Sequence, residues 1–403
     1  MGNAPKLRFE GFLDAWEQRK LGEFCQQLSA TLNPQERPDD VFVEYSMPAF
    51  DNGERPDVVL GDTMSSARKT IDRPCLLINK LNVRKKRIWN VKNPEKNAVS
   101  STEFVAVYSD KIDLTFLKYL VSNDSFTSYL EDCSSGSSNS QKRVTPDVIM
   151  SAILVVPSKD EQLKIGGYLE GLDTLITLHQ RKCDALTKAK IFYLQTLCPQ
   201  EGEKEPKLRL EGYTDTWNQY TLGDLYTERN ERGNETLQIL TVSIHTGVSD
   251  GALEEDELGK SVRRSEDKTL YKHVYAGDLI FNMMRAWQGA IGVAKREGMI
   301  SPAYISAIPD ERVFPPFMNY LLRRKEIISQ INNLSYGVTD FRKRLYWDSF
   351  IKVKCSLPSV EEQKCITDVF EQLDTLITRQ EHRIKALKTM KKFMLQNMFP
   401  QEG

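Results

Sequence analysis

The chain has 403 residues, enough for two or three domains at about 150 residues each. Its 55 basic and 56 acidic residues nearly cancel, which argues against a general nucleic-acid coat but leaves room for a local basic stripe. With 40% hydrophobic and 28% charged residues, the composition is that of a folded globular protein. No apolar run approaches the ~20 residues of a membrane span, and the start MGNAPKLRFEG lacks a signal-peptide core, so a cytoplasmic location is expected. The seven cysteines form no CxxC pair and read as reduced, buried thiols. The four scattered histidines (179, 245, 273, 382) suggest no metal site.

In chain order, a short lead-in (5–24) precedes strand patterns at 74–78, 103–108 and 152–156, with a helix over about 114–131. From Pro157 to Pro199 the pattern is one long helix. A second lead-in (206–225) follows, then strands at 237–242, 278–282 and 290–294, a helix over about 315–333, and another long helix from Pro358 to Pro400.

The chain repeats itself at a fixed offset of 201. The lead-ins PKLRFEGFLDAWEQRKLGEF and PKLRLEGYTDTWNQYTLGDL share 11 of 20 positions, and the blocks 157–202 and 358–403 share 22 of 46. Between them, 25–156 and 226–357 share almost nothing except Gly136 and Lys142-Arg143 opposite Gly337 and Lys343-Arg344. One scaffold therefore carries two different α/β inserts of ~130 residues.

In each long helix apolar residues recur seven apart, with a second set four later: Leu169, Leu172, Ile176 and Leu186 in one copy, Phe370, Leu373, Ile377 and Leu387 in the other. His179 and Gln380 fill the polar seam position and would fix register. Neither helix can bury its seam alone, so an antiparallel pairing of the two copies is expected. The segment joining the copies resembles the chain's end joined to its beginning, so the repeat is circular and the two termini should lie close together.

Lys80, Arg84, Lys85, Lys86 and Arg87, with Trp89 nearby, form a basic run free of acids. Arg285, Trp287 and Gln288 precede a glycine, and Arg342, Lys343 and Arg344 follow the turn 337–340. Lys142 and Arg143 occupy the matching place in the first insert. Arg and Gln can pair with guanine and adenine edges, whereas Lys mainly neutralises phosphate. These thirteen residues are the candidate DNA contacts.

No catalytic centre is legible. Phe314-Pro315-Pro316-Phe317 resembles the amino-methyltransferase signature, but Phe314 has no group to hold a base's amino nitrogen, and the prolines suit a helix start. No glycine-rich cofactor turn, phosphate loop or Ser/His/Asp set is present.

Two variable domains, each followed by a Pro-x-x-x-Glu-Gln entry (Pro157…Glu161-Gln162, Pro358…Glu362-Gln363) and a helix bearing Leu-Asp-Thr-Leu-Ile (172–176, 373–377), resemble the specificity (S) subunit of type I restriction–modification systems. The segments 277–294 with 301–304, and 81–89 with 101–107, look like two recurring types of recognition domain. The resemblance implies two α/β (α+β) target-recognition domains joined by two long antiparallel coiled-coil helices: 1–156, helix 157–202, 203–357 and helix 358–403.

It further implies that each domain reads half of a bipartite double-stranded DNA target while the helices set the spacer. The chain would have no activity or cofactor of its own. It would recruit two methyltransferase subunits using S-adenosylmethionine and two translocase–nuclease subunits using ATP and Mg. Two other readings remain at this stage: the specificity chain of a two-subunit system with a fused methylation–cleavage partner, and a coiled-coil scaffold that reads no DNA.

Overall fold

A computed structural model of the chain describes residues 5–136, 141–200, 202–234, 236–244, 247–249, 270–337 and 343–400. It forms two compact units, one from 1–180 with 382–403, the other from 181–381. The division falls inside both long helices, Lys159–Thr196 and Val360–Asn397, each of 38 residues. Each unit therefore contains one insert, the first half of one helix and the second half of the other.

The first unit shows why the halves pair antiparallel. Leu7 donates its amide to the Asn397 carbonyl (2.9 Å), while the adjacent Arg8 grips Glu161, so the end of one helix lies beside the start of the other. The second unit repeats this with Leu208 to Thr196 (2.9 Å) and Arg209 to Glu362. The described ends of the chain thus meet in one unit, as the circular repeat requires.

Charge favours the same pairing. Residues 360–381 hold six acidic and two basic residues, whereas 382–397 hold five basic and none acidic. The other helix divides likewise, four acidic against two basic in 159–180 and one acidic against four basic in 181–196. Antiparallel packing sets acidic halves against basic ones, at Asp173–Lys391 and Asp374–Lys190 (2.5 Å each). It also leaves acid at each helix N-terminus, where the dipole favours it.

Both inserts use the same four-stranded antiparallel sheet although their sequences differ. In the first the order is 26–27, 104–108, 75–79, 88–91, and in the second 226–229, 304–309, 279–282, 291–293. A two-stranded ribbon closes each globule, 17–20 with 153–156 and 218–221 with 354–357. The first unit adds a five-stranded sheet (31–32, 68–70, 98–101, 41–45, 57–60), where the second has the pairs 241–243/247–249 and 272–274/298–300. Of the expected strand at 237–242, only its end lies in a strand.

The two expected insert helices are each broken. The first is Leu114–Leu120 and Asp124–Asp132, because Asn123 accepts from the Phe126 amide (2.8 Å) and starts a new helix. The second is Pro315–Leu321 and Lys325–Leu334. Pro315 takes the first helical position, the structural role expected for the 314–317 segment.

The helix seams do more than pair with each other. Ile165, Leu169 and Leu172 enter the first insert's core with Phe116, Leu117 and Phe399, and Leu387 packs against it. Ile366 and Phe370 enter the second with Phe317, Phe350 and Leu197, and Leu373 packs alongside. Ile176, Leu186 and Ile377 are half-buried. Gln380 is 3% exposed at the polar seam position. No helix among the described residues is long and apolar enough to cross a membrane.

The cysteines are all free thiols. Burial is not uniform, however: Cys133 is exposed and Cys365 half-buried, against the expectation of seven buried thiols.

Candidate nucleic-acid interface

The repeated motif residues turn out to hold insert, lead-in and helix together. Glu161, 1% exposed, receives two hydrogen bonds from Arg8 of the lead-in (2.9 and 2.7 Å). Gln162 accepts from the Asp113 amide (2.9 Å), at the cap of an insert helix, and donates to the Pro157 carbonyl (2.9 Å). Glu362 and Gln363 do the same with Arg209, Phe314 and Pro358. The lead-in arginines satisfy the buried glutamates, and backbone groups of the insert and helix entry satisfy the glutamines, which explains why both copies keep them.

A second joint repeats as well. Tyr119 of the first insert donates to Asp173 (2.7 Å), which also takes Lys391 from the other helix. Tyr320, Asp374 and Lys190 form its counterpart. Burial, with the neighbouring aspartate, pushes both phenols well above their usual range.

The structure gathers the basic residues of each insert. In the first, Val144 donates its amide to the Lys80 carbonyl (3.1 Å) and Asn82 to that of Lys142 (2.9 Å), laying the 80–87 loop beside Lys142 and Arg143. Ser135 and Arg143 bridge across the return, and Gly136 has φ +151° with no room for a side chain against Gln141 and Lys142. In the second, Tyr336 and Arg344 form the same bridge, and Leu345 donates to Met283 (2.9 Å), bringing 343–344 beside 284–288.

The two basic surfaces differ electrostatically. In the first insert Arg84 holds Glu131, Lys86 holds Asp124 (2.5 Å each) and Arg143 holds Glu103 (2.9 Å). Arg87 is 7% exposed and donates two hydrogen bonds to Asp51 (2.8 and 2.6 Å), with Lys85 3.8 Å away. Those bonds hold the Asp51 carboxyl below its usual range, and Lys86 does the same to Asp124. Arg87 is therefore withdrawn from the surface and has an internal partner, unlike the exposed DNA contact expected of it. Lys80 and Lys142 are half-buried and make no side-chain hydrogen bond among the described residues.

The second insert presents its polar groups more openly. Ala286–Gln288 form one tight turn, with Ala286 fully buried and Gly289 at φ +103°. The Trp287 indole donates to the Met284 carbonyl (3.0 Å), and the Lys343 ammonium sits 5.8 Å over its ring. The anchored turn carries Arg285 and Gln288 on either side of Trp287, both exposed and without side-chain partners among the described residues. Arg344 is exposed, and Arg342 lies outside the described residues.

No protein-family model matches the chain, and no curated protein matches it significantly. Among solved structures it is similar to the type I restriction–modification S subunit from M. genitalium. That likeness has TM-score 0.63 at 12% identity and spans 99% of this chain and 100% of the other. The chain has the S-subunit fold. A chain from a structure of type I restriction–modification complex assembly and conformational transition also resembles it, with TM-score 0.50 and 20% identity over 96% and 98% of the two chains. The S-subunit fold accounts for the duplicated globules and the two long helices together. At these identities the resemblance establishes architecture, and the residues themselves must argue the function.

Proposed function

We propose that this chain is a non-catalytic, DNA-reading specificity subunit whose two inserts each recognise one half of a bipartite duplex target. The observation that carries this reading is the matched placement of a basic hairpin return beside a polar loop in two inserts that share almost no sequence beyond that return. Different inserts on one duplicated mount suit two different half-sites. The S-subunit fold over the full chain supports it.

In this reading Arg285 and Gln288 contact base edges, because they are exposed on a rigid turn and carry paired donor or acceptor groups. Lys80, Lys85, Lys142, Lys343 and Arg344 neutralise phosphates, and Arg84, Lys86 and Arg143 do so after exchanging their carboxylate partners. Arg87 shapes the loop. The long helices set the spacer and recruit two methyltransferase and two translocase–nuclease subunits, which bring S-adenosylmethionine, ATP and Mg. Exposed Leu175 with Leu376 and Phe192 with Phe393, alike in both copies, offer apolar contact for those partners. The protein works in the cytoplasm, on DNA.

Selection from a random duplex library tests this reading, using the chain purified with a co-expressed methyltransferase subunit. The bound fraction is expected to share two short motifs at a fixed spacing. Enrichment of no motif would contradict it.

A further inference from the structure

The two units of the duplicated scaffold are built alike but charged differently. In the second unit Arg324 is 8% exposed, and its Nη1 donates to the Pro199 carbonyl (2.9 Å), with Glu326 at 3.5 Å from Nε. The repeat puts Asn123 and Ser125 at those places in the first unit, beside Pro400. The space that Arg324 fills in one unit is thus left open in the other, as part of a cleft of ~500 Å³.

Four lysines line this cleft: Lys86 from the insert's basic loop, and Lys388, Lys391 and Lys392 from one face of the second long helix. Its two carboxylates are already engaged, Asp124 by Lys86 and Asp173 by Lys391. Lys388 and Lys392 are exposed and have no hydrogen-bond or ion-pair partner among the described residues. Their counterparts in the other unit are Thr187 and Ile191, so this excess of positive charge belongs to the first unit alone.

We infer that the cleft is a phosphodiester-binding recess, in which Lys388 and Lys392 extend the DNA footprint from the first insert onto the helix pair. This rests on the DNA-reading function proposed above. Charge selects the guest: two uncompensated ammonium groups over neutralised carboxylates favour an anion. Continuity selects its source, because Lys86 belongs both to the cleft and to the loop assigned to the duplex. Lysines at this place add affinity without reading sequence.

The test measures binding of the full-length chain, purified with a co-expressed methyltransferase subunit, to a fluorescent random-sequence duplex of about 30 base pairs across a salt series. Each phosphate contact contributes ~0.9 to the slope of log affinity against log salt, so Lys388→Gln with Lys392→Gln is expected to reduce that slope by about 1.8. At about 0.1 M salt, this corresponds to a loss of affinity on the order of 50-fold. The Lys388→Arg, Lys392→Arg chain is expected to keep the wild-type slope. An unchanged slope in the Gln variant, with wild-type DNA binding intact, overturns the recess alone. Loss of methyltransferase binding at an unchanged slope also overturns it, and makes the cleft a protein-docking face. A wild-type chain that binds no duplex overturns both this inference and the functional reading beneath it.

Discussion

Arg8, near the start of the chain, donates two hydrogen bonds to Glu161, whose carboxylate is 1% exposed in the first turn of a helix more than 150 residues away. The pair joins lead-in to helix, and Arg209 with Glu362 repeats it in the other unit. Removing one partner leaves the other buried and unmatched, so Arg8→Ala is expected to cost about 3 kcal/mol. Replacing both by apolar residues of similar size should cost less than the two single losses added. Urea titrations of the two single variants and the double variant measure that coupling.

Leu172 is 5% exposed inside the first core, while its repeat partner Leu373 is only half-buried against the second. An aspartate at 172 is therefore expected to destabilise by about 4 kcal/mol, and at 373 by about half as much. Thermal denaturation of the two variants should show that order. Equal effects would mean that the two halves of the seam are not used as described.

Asp51→Asn leaves the buried Arg87 guanidinium without its carboxylate and is expected to cost about 1–2 kcal/mol at pH 7. Because the Asp51 pKa is lowered from 3.8 in the folded chain, this contribution is fully present above that pH and is lost as pH falls through the folded value. The stability gap between wild type and Asp51→Asn should therefore hold above pH 3.8 and narrow as pH falls below it. By contrast Arg84→Ala, which removes an exposed pair, is expected to cost less than about 0.5 kcal/mol.

Burial pushes the thiols of Cys25, Cys75 and Cys355 up to about 12 and that of Cys198 to about 11, so little thiolate exists at neutral pH. Only Cys133 is exposed. Brief alkylation of the native chain at pH 7.5, followed by peptide mass spectrometry, is expected to label Cys133 first and leave those four unmodified. Fast labelling of Cys75 would place it outside the core.

The scaffold was legible in the sequence because its repeated side chains satisfy one another. Arg8 needs Glu161, and Gln162 needs the Asp113 amide, so both copies display the same residues. The sheet order of the inserts was not legible, since an apolar strand such as 75–79 carries no mark of which neighbour it will take. Asn123 starts a second helix within a stretch that periodicity alone reads as one helix to residue 131. The basic run 80–87 showed the sharpest limit. Its partners come from two other segments, Asp51 from one and Asp124 with Glu131 from a single helix, so the sequence could not show that Arg87 is buried and most of the charge is neutralised. The cleft at Lys388 and Lys392 was missed because lysines on a long helix look like solvated surface. Their signal was the absence of any acid from 382–397.

The claim that this chain reads a bipartite DNA target is tested most directly by mapping adenine methylation genome-wide in cells with the gene, without it, and with Arg285→Ala. Deletion is expected to abolish methylation at one motif made of two short halves separated by a fixed spacer. Arg285→Ala is expected to relax or abolish recognition within one half and leave the other half and the spacer unchanged, at a cost of about 1–3 kcal/mol of discrimination. A methylation map identical in all three strains would contradict the account.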